Sequence, residues 1–282
     1  MSQPGKLYVV ATPLGNLEDI TLRALRILKE VQAIAAEDTR HSRKLLDHYG
    51  IQKPMISYYD EVERHRAPQL VERLRHGESI ALISDAGTPC IADPGYRLVN
   101  AAIEAGIQVI AIPGASAVAA SLSVAGLPTD RFCFEGFVPV KTVSRRKFFA
   151  GLAQERRTIV VYEAARRLVG CLDDLVAELG DRRIAMVREL SKMFEEILRG
   201  GAVEITEQLR QREQVQGLQG EVTLLIAGAG DEVKELSPEQ LGEEIARLRA
   251  QGMSLKEASQ ILSRETGLPR REIYKRGAGG GD

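Results

Sequence analysis

The sequence is poor in cysteine. Cys90, Cys133 and Cys171 are the only three in 282 residues, and none stands at a CxxC or Cys/His ligand spacing. A disulfide framework and a zinc site are therefore not expected, and a reducing compartment, the cytoplasm, suits the chain. Long apolar runs are missing too. All fall far short of the roughly 20 residues of a membrane span. The N-terminal stretch LYVVATPLG reads as a first strand rather than a secretion signal. Charge of one sign is not in surplus: 38 basic against 39 acidic residues leave a formal net charge of -1. The sum does not announce nucleic acid, although a local patch matters more than the sum. Two phosphate-binding fingerprints are absent, GxGxxG after the first strand and GxxxxGK[ST]. A phosphate-anchored cofactor is thus disfavoured. His41, His48, His65 and His76 are scattered and suit surface or structural roles better than metal ligation. Neither a membrane partner nor a metal is expected.

What is present is a rhythm. Short β-branched runs alternate with amphipathic stretches: 7–11, 33–36, 56–58, 79–84 and 108–112 read as strands, with helices over 21–31, 42–49, 66–76 and 96–105. Gly50, Gly77 and Gly106 stop three of those helices. This β-α-β-α order predicts an α/β fold with a largely parallel sheet. From Ser116 the flavour changes. Helices are expected over 116–124, 144–153, 168–179 and 205–212, and strands over 132–137, 158–162, 183–189, 194–198 and 221–227. These longer, more charged strands predict an antiparallel or mixed sheet. Beyond Gly230 three short helices are expected, over 237–250, 254–263 and 269–276, with Ser237 as N-cap and Pro238 at the first helical position. The predicted organisation is an N-terminal α/β domain over 1–113, a second over 114–230, a helical module over 231–276 and a disordered tail over 277–282.

Three loops follow apolar strands and are rich in Gly, Pro, Ser, Thr and Asp: TPLGNL (12–17), SDAGTPCIADPG (84–95) and PGASAVAA (113–120). Such loops alone are usually turns. In parallel α/β folds, however, ligands bind outside the carboxyl ends of the strands, so three on one edge predict a shared cleft. Gly87 and Gly114 permit close backbone approach. Ser116 opens a helix whose free N–H groups suit a carboxylate, and Asp85 suits an amine or hydroxyl.

The segments ATPLGNLEDIT, AEDTRHSRKLL, SDAGTPCIADPGYRLV and IPGASAVAASLSVAGLP resemble the tetrapyrrole-methylase superfamily. More narrowly they resemble the ribosomal small-subunit methyltransferase I family, and VYEAARRL and RELSKMFEE continue the match in order over about the whole chain. The resemblance implies S-adenosylmethionine held between two α/β domains, with a helical C-terminal module. It implies 2′-O-methylation of a cytidine ribose in the decoding region of small-subunit (16S) ribosomal RNA, by a homodimer. By motif, the cofactor contacts would come from Pro13, Leu14, Asp85, Gly87, Thr88 and Pro89, from Ile91, Ser116 and Ala117, and from Tyr162, Leu190 and Thr223. TPLGNL stands where tetrapyrrole-modifying members carry GxGxGD, which points away from a porphyrinoid substrate. Where family members commonly have Pro and His after Tyr-Glu, this chain has Ala165 and Arg166. A histidine base at that place is not available.

Methyl transfer from a sulfonium is an in-line displacement of an activated leaving group, so positioning carries most of the catalysis. A general base adds about 10²–10⁴-fold. Asp38, Glu163, Glu189 and Glu195 are the candidates, with Arg40 suited to a phosphate and Lys192 to the hydroxyl or a phosphate. Charged residues at strand ends are usually just solvated; proximity to the cofactor loops and the family pattern single these out. RNA needs cations, and clusters stand at Lys141, Arg145, Arg146 and Lys147, at Arg156 and Arg157, at Arg166 and Arg167, and at Arg270, Arg271, Lys275 and Arg276. Tyr58, Tyr59 and Phe148 are flat groups near such a path. Each cluster alone is more often a solvated helix face. Two alternatives stand beside the RNA reading: a methylase of tetrapyrroles or other small molecules, and a non-catalytic RNA-binding protein of the same fold.

Overall fold

The computed structural model describes residues 3–230, 237–266 and 268–278. Strands β1 (Lys6–Val10), β2 (Ala33–Ala36), β3 (Met55–Ser57), β4 (Ile80–Ile83) and β5 (Gln108–Ile112) form one sheet in the order β3-β2-β4-β1-β5. Every pair in it is parallel. Both faces are covered, which is why β4 is apolar throughout: Ile80 and Leu82 serve one core, Ala81 and Ile83 the other. Helices α1 (Leu22–Glu30) and α2 (Thr39–His48) bury Ile27, Leu28, Leu45 and Leu46 on the second side. Helices α3 (Glu63–Arg75) and α4 (Tyr96–Glu104) bury Leu70, Leu74 and Leu98 on the first.

The strand order creates a switch point. The chain leaves β1 toward β2 and leaves β4 toward β5, in opposite directions across the sheet. The loops after β1 and β4 are neighbours at the carboxyl edge, where a crevice opens.

A second sheet contains β6 (Phe132–Phe137), β7 (Thr158–Ala164), β8 (Arg183–Arg188), β9 (Glu196–Gly201) and β10 (Glu221–Ile226), ordered β6-β7-β10-β8-β9. Only β6 and β7 run parallel; the other pairings are antiparallel, so the sheet is mixed as expected. Helices α6 (Thr142–Gly151), α7 (Leu168–Leu179) and α8 (Ala202–Gln216) cover one face through Phe149, Leu172, Leu175 and Leu209. Helix α5 (Ala117–Ala125) covers the other, where Val118 and Leu122 meet Val160, Val187 and Leu225. The third Gly/Pro-rich loop therefore leaves the first sheet and delivers its helix to the second.

The C-terminal helices α9 (Pro238–Ala250), α10 (Leu255–Thr266) and α11 (Arg270–Gly277) have a core of their own, built from Leu241, Ile245, Leu248, Leu262 and Ile273. Ser237 caps α9 in a reciprocal box with Gln240, and Pro238 is its first residue. Of the expected tail 277–282, Gly277 closes α11 and Ala278 follows; 279–282, like 231–236 before the module, lie outside the described residues. No helix among the described residues is long and apolar enough to cross a membrane.

Some boundaries move for local reasons. The strand expected to reach Glu189 stops at Arg188, because Glu189 turns into the left-handed region at φ 50°. The strand expected from Phe194 starts at Glu196, since Met193 and Phe194 stand in solvent. Helix α3 begins at Glu63 rather than Arg66 and carries Pro68 inside it.

Leu224 is completely buried in the middle of β10. Leu224→Ala should destabilise the fold by about 2–5 kcal/mol, measured by urea unfolding followed by circular dichroism.

Candidate functional site

The switch-point crevice is closed by a pair of backbone hydrogen bonds. Thr12 N–H donates to the Gly87 carbonyl at 2.8 Å, and Gly87 N–H donates back at 3.1 Å. Thr12 Oγ1 donates to the Ser84 carbonyl at 3.1 Å. Gly87 sits at φ 80°, and a Cβ there would stand 3.1 Å from Leu14 Cδ2. Only glycine meets both demands. Beside this junction opens a cavity of about 350 Å³. The first loop contributes Leu14, the second Asp85, Gly87, Thr88 and Ile91, and the third Ser116 and Ala117. Ser116 caps α5, so the unpaired N–H groups of its first turn lie at the cavity. The three loops expected to share a cleft do share one. Pro13 and Pro89 are buried next to Leu14 and Thr88 and do not line it.

The floor is acidic. Glu37, Asp85 and Asp93 all line the cavity. Asp85 Oδ1 accepts the Asp38 N–H at 3.1 Å, which ties the end of β4 to the end of β2. Burial, then the nearby Glu37 charge, pushes the Asp93 carboxyl up to about 7. Burial raises Glu37 as well, with the Asp85 charge adding to it. These carboxylates repel one another in a half-dry space, and a cation would relieve that repulsion. Neither Glu37 nor Asp93 was among the expected site residues.

The opposite wall comes from the second sheet, with Tyr162 of β7, Thr223 of β10 and Val187 of β8 beside Phe137. Burial, with the Asp93 charge, pushes the Tyr162 hydroxyl up to about 12. Leu190 joins this wall from the loop after β8. Glu189 and Ser191 of that loop both have positive φ. Lys192 reaches back into the cavity, its Nζ 2.9 Å from Glu189 Oε1 and 3.3 Å from Glu221 Oε2. A Cβ on Gly15 would come within 2.3 Å of the Lys192 Cγ, so the lysine stem lies against the first loop. Ser191 Oγ donates to Asp19 across the same gap. Burial alone would lower Lys192, but the bond to Glu189 and the Glu221 charge outweigh it and hold the ammonium protonated. Burial alone would raise Glu189; the Glu221 N–H and Lys192 outweigh that and keep it ionised.

The other expected residues fall differently. Asp38 does not line the cavity: its carboxylate caps α2 by accepting the Arg40 N–H at 2.8 Å and pairs with the Arg40 guanidinium at 3.0 Å. That bonding to Arg40 pulls it down to about 2, a poor proton acceptor. Arg40 itself is open to solvent. Glu195 accepts the Ser191 N–H at 2.6 Å and braces the loop from outside. Glu163 borders the cavity, but its Oε1 is bound by the Ala164 N–H at 2.7 Å and by Arg167. Ala165 is buried in the core behind the sheet, and Arg166 is exposed and off the cavity wall.

Two residues expected along the RNA path need correction, Tyr58, which is completely buried under the first sheet's helices, and Arg145. Arg145 is not on the surface; it is buried and bound to Asp174, with Nε to Oδ2 at 2.7 Å. Its partner lies on α7, 29 residues on, out of reach of any reading of α6 by itself. Arg146 pairs with Glu178 at 2.7 Å. Lys141 and Lys147 stay exposed, as do Arg270, Arg271 and Lys275 of the C-terminal module, while Arg276 sits 3.4 Å from Glu272.

Residues 6–206 match the model of the tetrapyrrole (corrin/porphyrin) methylases, and 235–278 match that of the RsmI C-terminal HTH domain. The ribosomal RNA small subunit methyltransferase I of Xylella fastidiosa (strain Temecula1) is 45% identical, over 97% of this chain and 99% of its own. The enzyme of the same name from Synechocystis is 47% identical over 96% of each chain. The chain belongs to the ribosomal RNA small subunit methyltransferase I family. Among solved structures, the methyltransferase CobJ aligns with a TM-score of 0.59 at 18% identity, covering 80% of this chain and 95% of its own. A Thermus thermophilus uroporphyrin-III C-methyltransferase complexed with S-adenosyl homocysteine aligns at 0.51 and 20% identity, covering 78% and 92%. At such identities the likeness is one of fold: the family shares the two-sheet architecture of the tetrapyrrole methylases.

Breaking the buried Arg145–Asp174 pair leaves an uncompensated charge, so Arg145→Ala should cost about 3–5 kcal/mol. Chemical denaturation checks this, and Lys147→Ala should leave stability within about 0.5 kcal/mol.

Proposed function

We propose that the protein transfers a methyl group from S-adenosylmethionine to the 2′-hydroxyl of a cytidine ribose in the decoding region of small-subunit ribosomal RNA. It does so in the cytoplasm, as a homodimer acting on the small subunit. The observation that carries this reading is the division of the cavity between an acidic floor and a Lys192 wall. When bound, S-adenosylmethionine supplies a methyl group on a positively charged sulfur. The floor suits that charge, because Asp85, Asp93 and Glu37 line it together while Lys192, the cation of the same cavity, is paired with Glu189 and Glu221. The N-terminus of α5 at Ser116 and Ala117 suits the carboxylate of the same molecule. Gly87 keeps the approach open, Leu14, Ile91 and Leu190 supply apolar contact, and Tyr162, Thr88 and Thr223 supply hydroxyls. Pro13 and Pro89 stiffen the loops from beneath.

On the opposite wall, Lys192 Nζ orients the reacting hydroxyl oxygen and Glu189 receives its proton. Of the four carboxylates considered as base, Glu189 is the one that lines the cavity beside that ammonium. Exposed Lys141, Lys147 and Arg166, with Arg40, are suited to phosphates. The C-terminal module adds Arg270, Arg271 and Lys275 on a helix whose Ile273 is buried in the module core. A porphyrinoid substrate has only the fold likeness behind it.

Transfer of labelled methyl to small subunits from a strain lacking the enzyme, followed by mapping of the nucleotide, tests the reading. A methyl on a base, or no transfer to RNA, would refute it. Absence of S-adenosylmethionine binding would leave only the non-catalytic RNA-binding alternative.

The cofactor should also bind with a pH dependence. Asp93 titrates near 7 and must be ionised to face a cation, so affinity should fall as pH drops from 8 to 6, by up to about tenfold per unit below 7. Binding should release protons, seen by calorimetry in buffers of different ionisation enthalpy, and Asp93→Asn should flatten the profile.

A further inference from the structure

We propose that Glu63, which is no part of the cavity wall, is a positioning residue that locks the second cofactor loop in its binding conformation. The inference rests on the reading that residues 84–95 hold S-adenosylmethionine. Two non-glycine residues of that loop, Cys90 at φ 70° and Ala92 at φ 65°, lie in the left-handed region. Residues with a Cβ avoid it, and they stay there only where the surroundings over-determine the backbone. Ile91, Ala92 and Asp93 line the cavity from within this strained stretch. Its first anchor is the Thr12–Gly87 pair. Its second is Glu63: Oε1 accepts the Gly95 N–H at 2.6 Å, at the N-cap of α4. Oε2 faces Arg97 Nε at 3.4 Å, one residue inside the helix.

The anchor is tight. Glu63 is 6% exposed. Gly95 stands at φ 142°, and a Cβ there would meet Cys90 Sγ at 2.6 Å and Leu82 Cδ2 at 2.8 Å. Tyr58 is completely buried beside the Glu63 carboxylate. Burial and then the Glu63 charge push its hydroxyl up, and the same two causes push the Cys90 thiol up to about 11. The Glu63 charge is therefore felt on both sides of the loop's end, and it holds the last loop residue through the Gly95 N–H and the start of the next helix through Arg97. A carboxylate outside the cavity closes the far end of the loop as a clamp. Asp93 then has a fixed place two residues before Gly95.

A purely structural carboxylate would change stability alone. A positioning one changes cofactor affinity while leaving the reacting-hydroxyl wall, on the other sheet, intact. The experiment uses the full chain and measures S-adenosylmethionine binding by calorimetry, methyl transfer at saturating cofactor, and thermal unfolding. In Glu63→Gln, Kd for the cofactor should rise about tenfold, with kcat at saturation within about twofold of the parent. Ala92→Gly added to Glu63→Gln should restore part of the affinity, because glycine accepts φ 65° without strain. Affinity unchanged within about twofold in a folded Glu63→Gln overturns the inference. If that variant does not fold, Arg97→Ala, which alters only the exposed half of the pair, decides it. A Kd raised about threefold supports the clamp, and an unchanged Kd removes it. No binding by the parent protein sinks the functional reading and this inference with it. Parent binding with unaffected variants sinks this inference alone.

Discussion

The two backbone hydrogen bonds exchanged by Thr12 and Gly87 are the constraint on which the site depends. Parallel β1 and β4 are held together by their ladder, but the ladder ends at the carboxyl edge and the chain then departs in two directions. Without a cross-link the loops would splay there. The pair extends strand-like bonding beyond the last ladder partners, and it does so antiparallel, at a bridge formed by single residues. That geometry demands positive φ at residue 87 and no Cβ beside Leu14, so the glycine is a requirement of topology before it is one of ligand binding.

From that junction the charges sort themselves by sheet. The strand ends of the first sheet carry Glu37, Asp85 and Asp93, and those of the second carry Glu189 and Glu221 with Lys192 between them. One side is a cluster of carboxylates, the other a cation held by two carboxylates. A half-buried cavity strengthens both effects. A ligand that is cationic near the floor and carries a weakly acidic hydroxyl near the opposite wall satisfies them together. The loop after β8 crosses toward the first, with Lys192 lying on Gly15 and Ser191 bound to Asp19, so the two charge fields face each other at a fixed separation.

Much of this is legible in the sequence. The unbroken apolar β4 followed by a Gly/Pro/Asp loop predicts a parallel sheet with a ligand edge, because local sequence determines both. Glu37 and Asp93 were missed although both lie inside motifs already singled out. Their signal is mutual proximity across β2 and β4, and strand order is not written in the spacing of either segment. Asp38, the candidate in the same motif as Glu37, has its carboxylate capping α2 instead. Arg145 reads as one of four cations on a helix. Its burial depends on Asp174, which only the packing of α6 on α7 brings near. Long-range charge pairing is the part of the site that periodicity does not encode.

The charge arrangement also bears on how the reaction is driven. Asp38, held near 2 by Arg40, has almost no affinity for a proton at neutral pH, and Tyr162, pushed to about 12, keeps its own. Glu189 is kept ionised by Lys192 and the Glu221 N–H, so it accepts a hydrogen bond readily but is a weak base. Lys192, the partner of Glu189, is likewise held in its charged form. Arg166, which follows the Tyr-Glu of β7, is exposed and outside the cavity. On the floor, burial pushes the Asp93 carboxyl up to about 7. On the proposed reading, rate enhancement falls to orientation against an activated leaving group, for which a fixed Lys192 and a rigid floor are what is needed. On that reading the acid limb of activity should come from cofactor binding through Asp93, while turnover at saturating cofactor should stay nearly level across the same pH range.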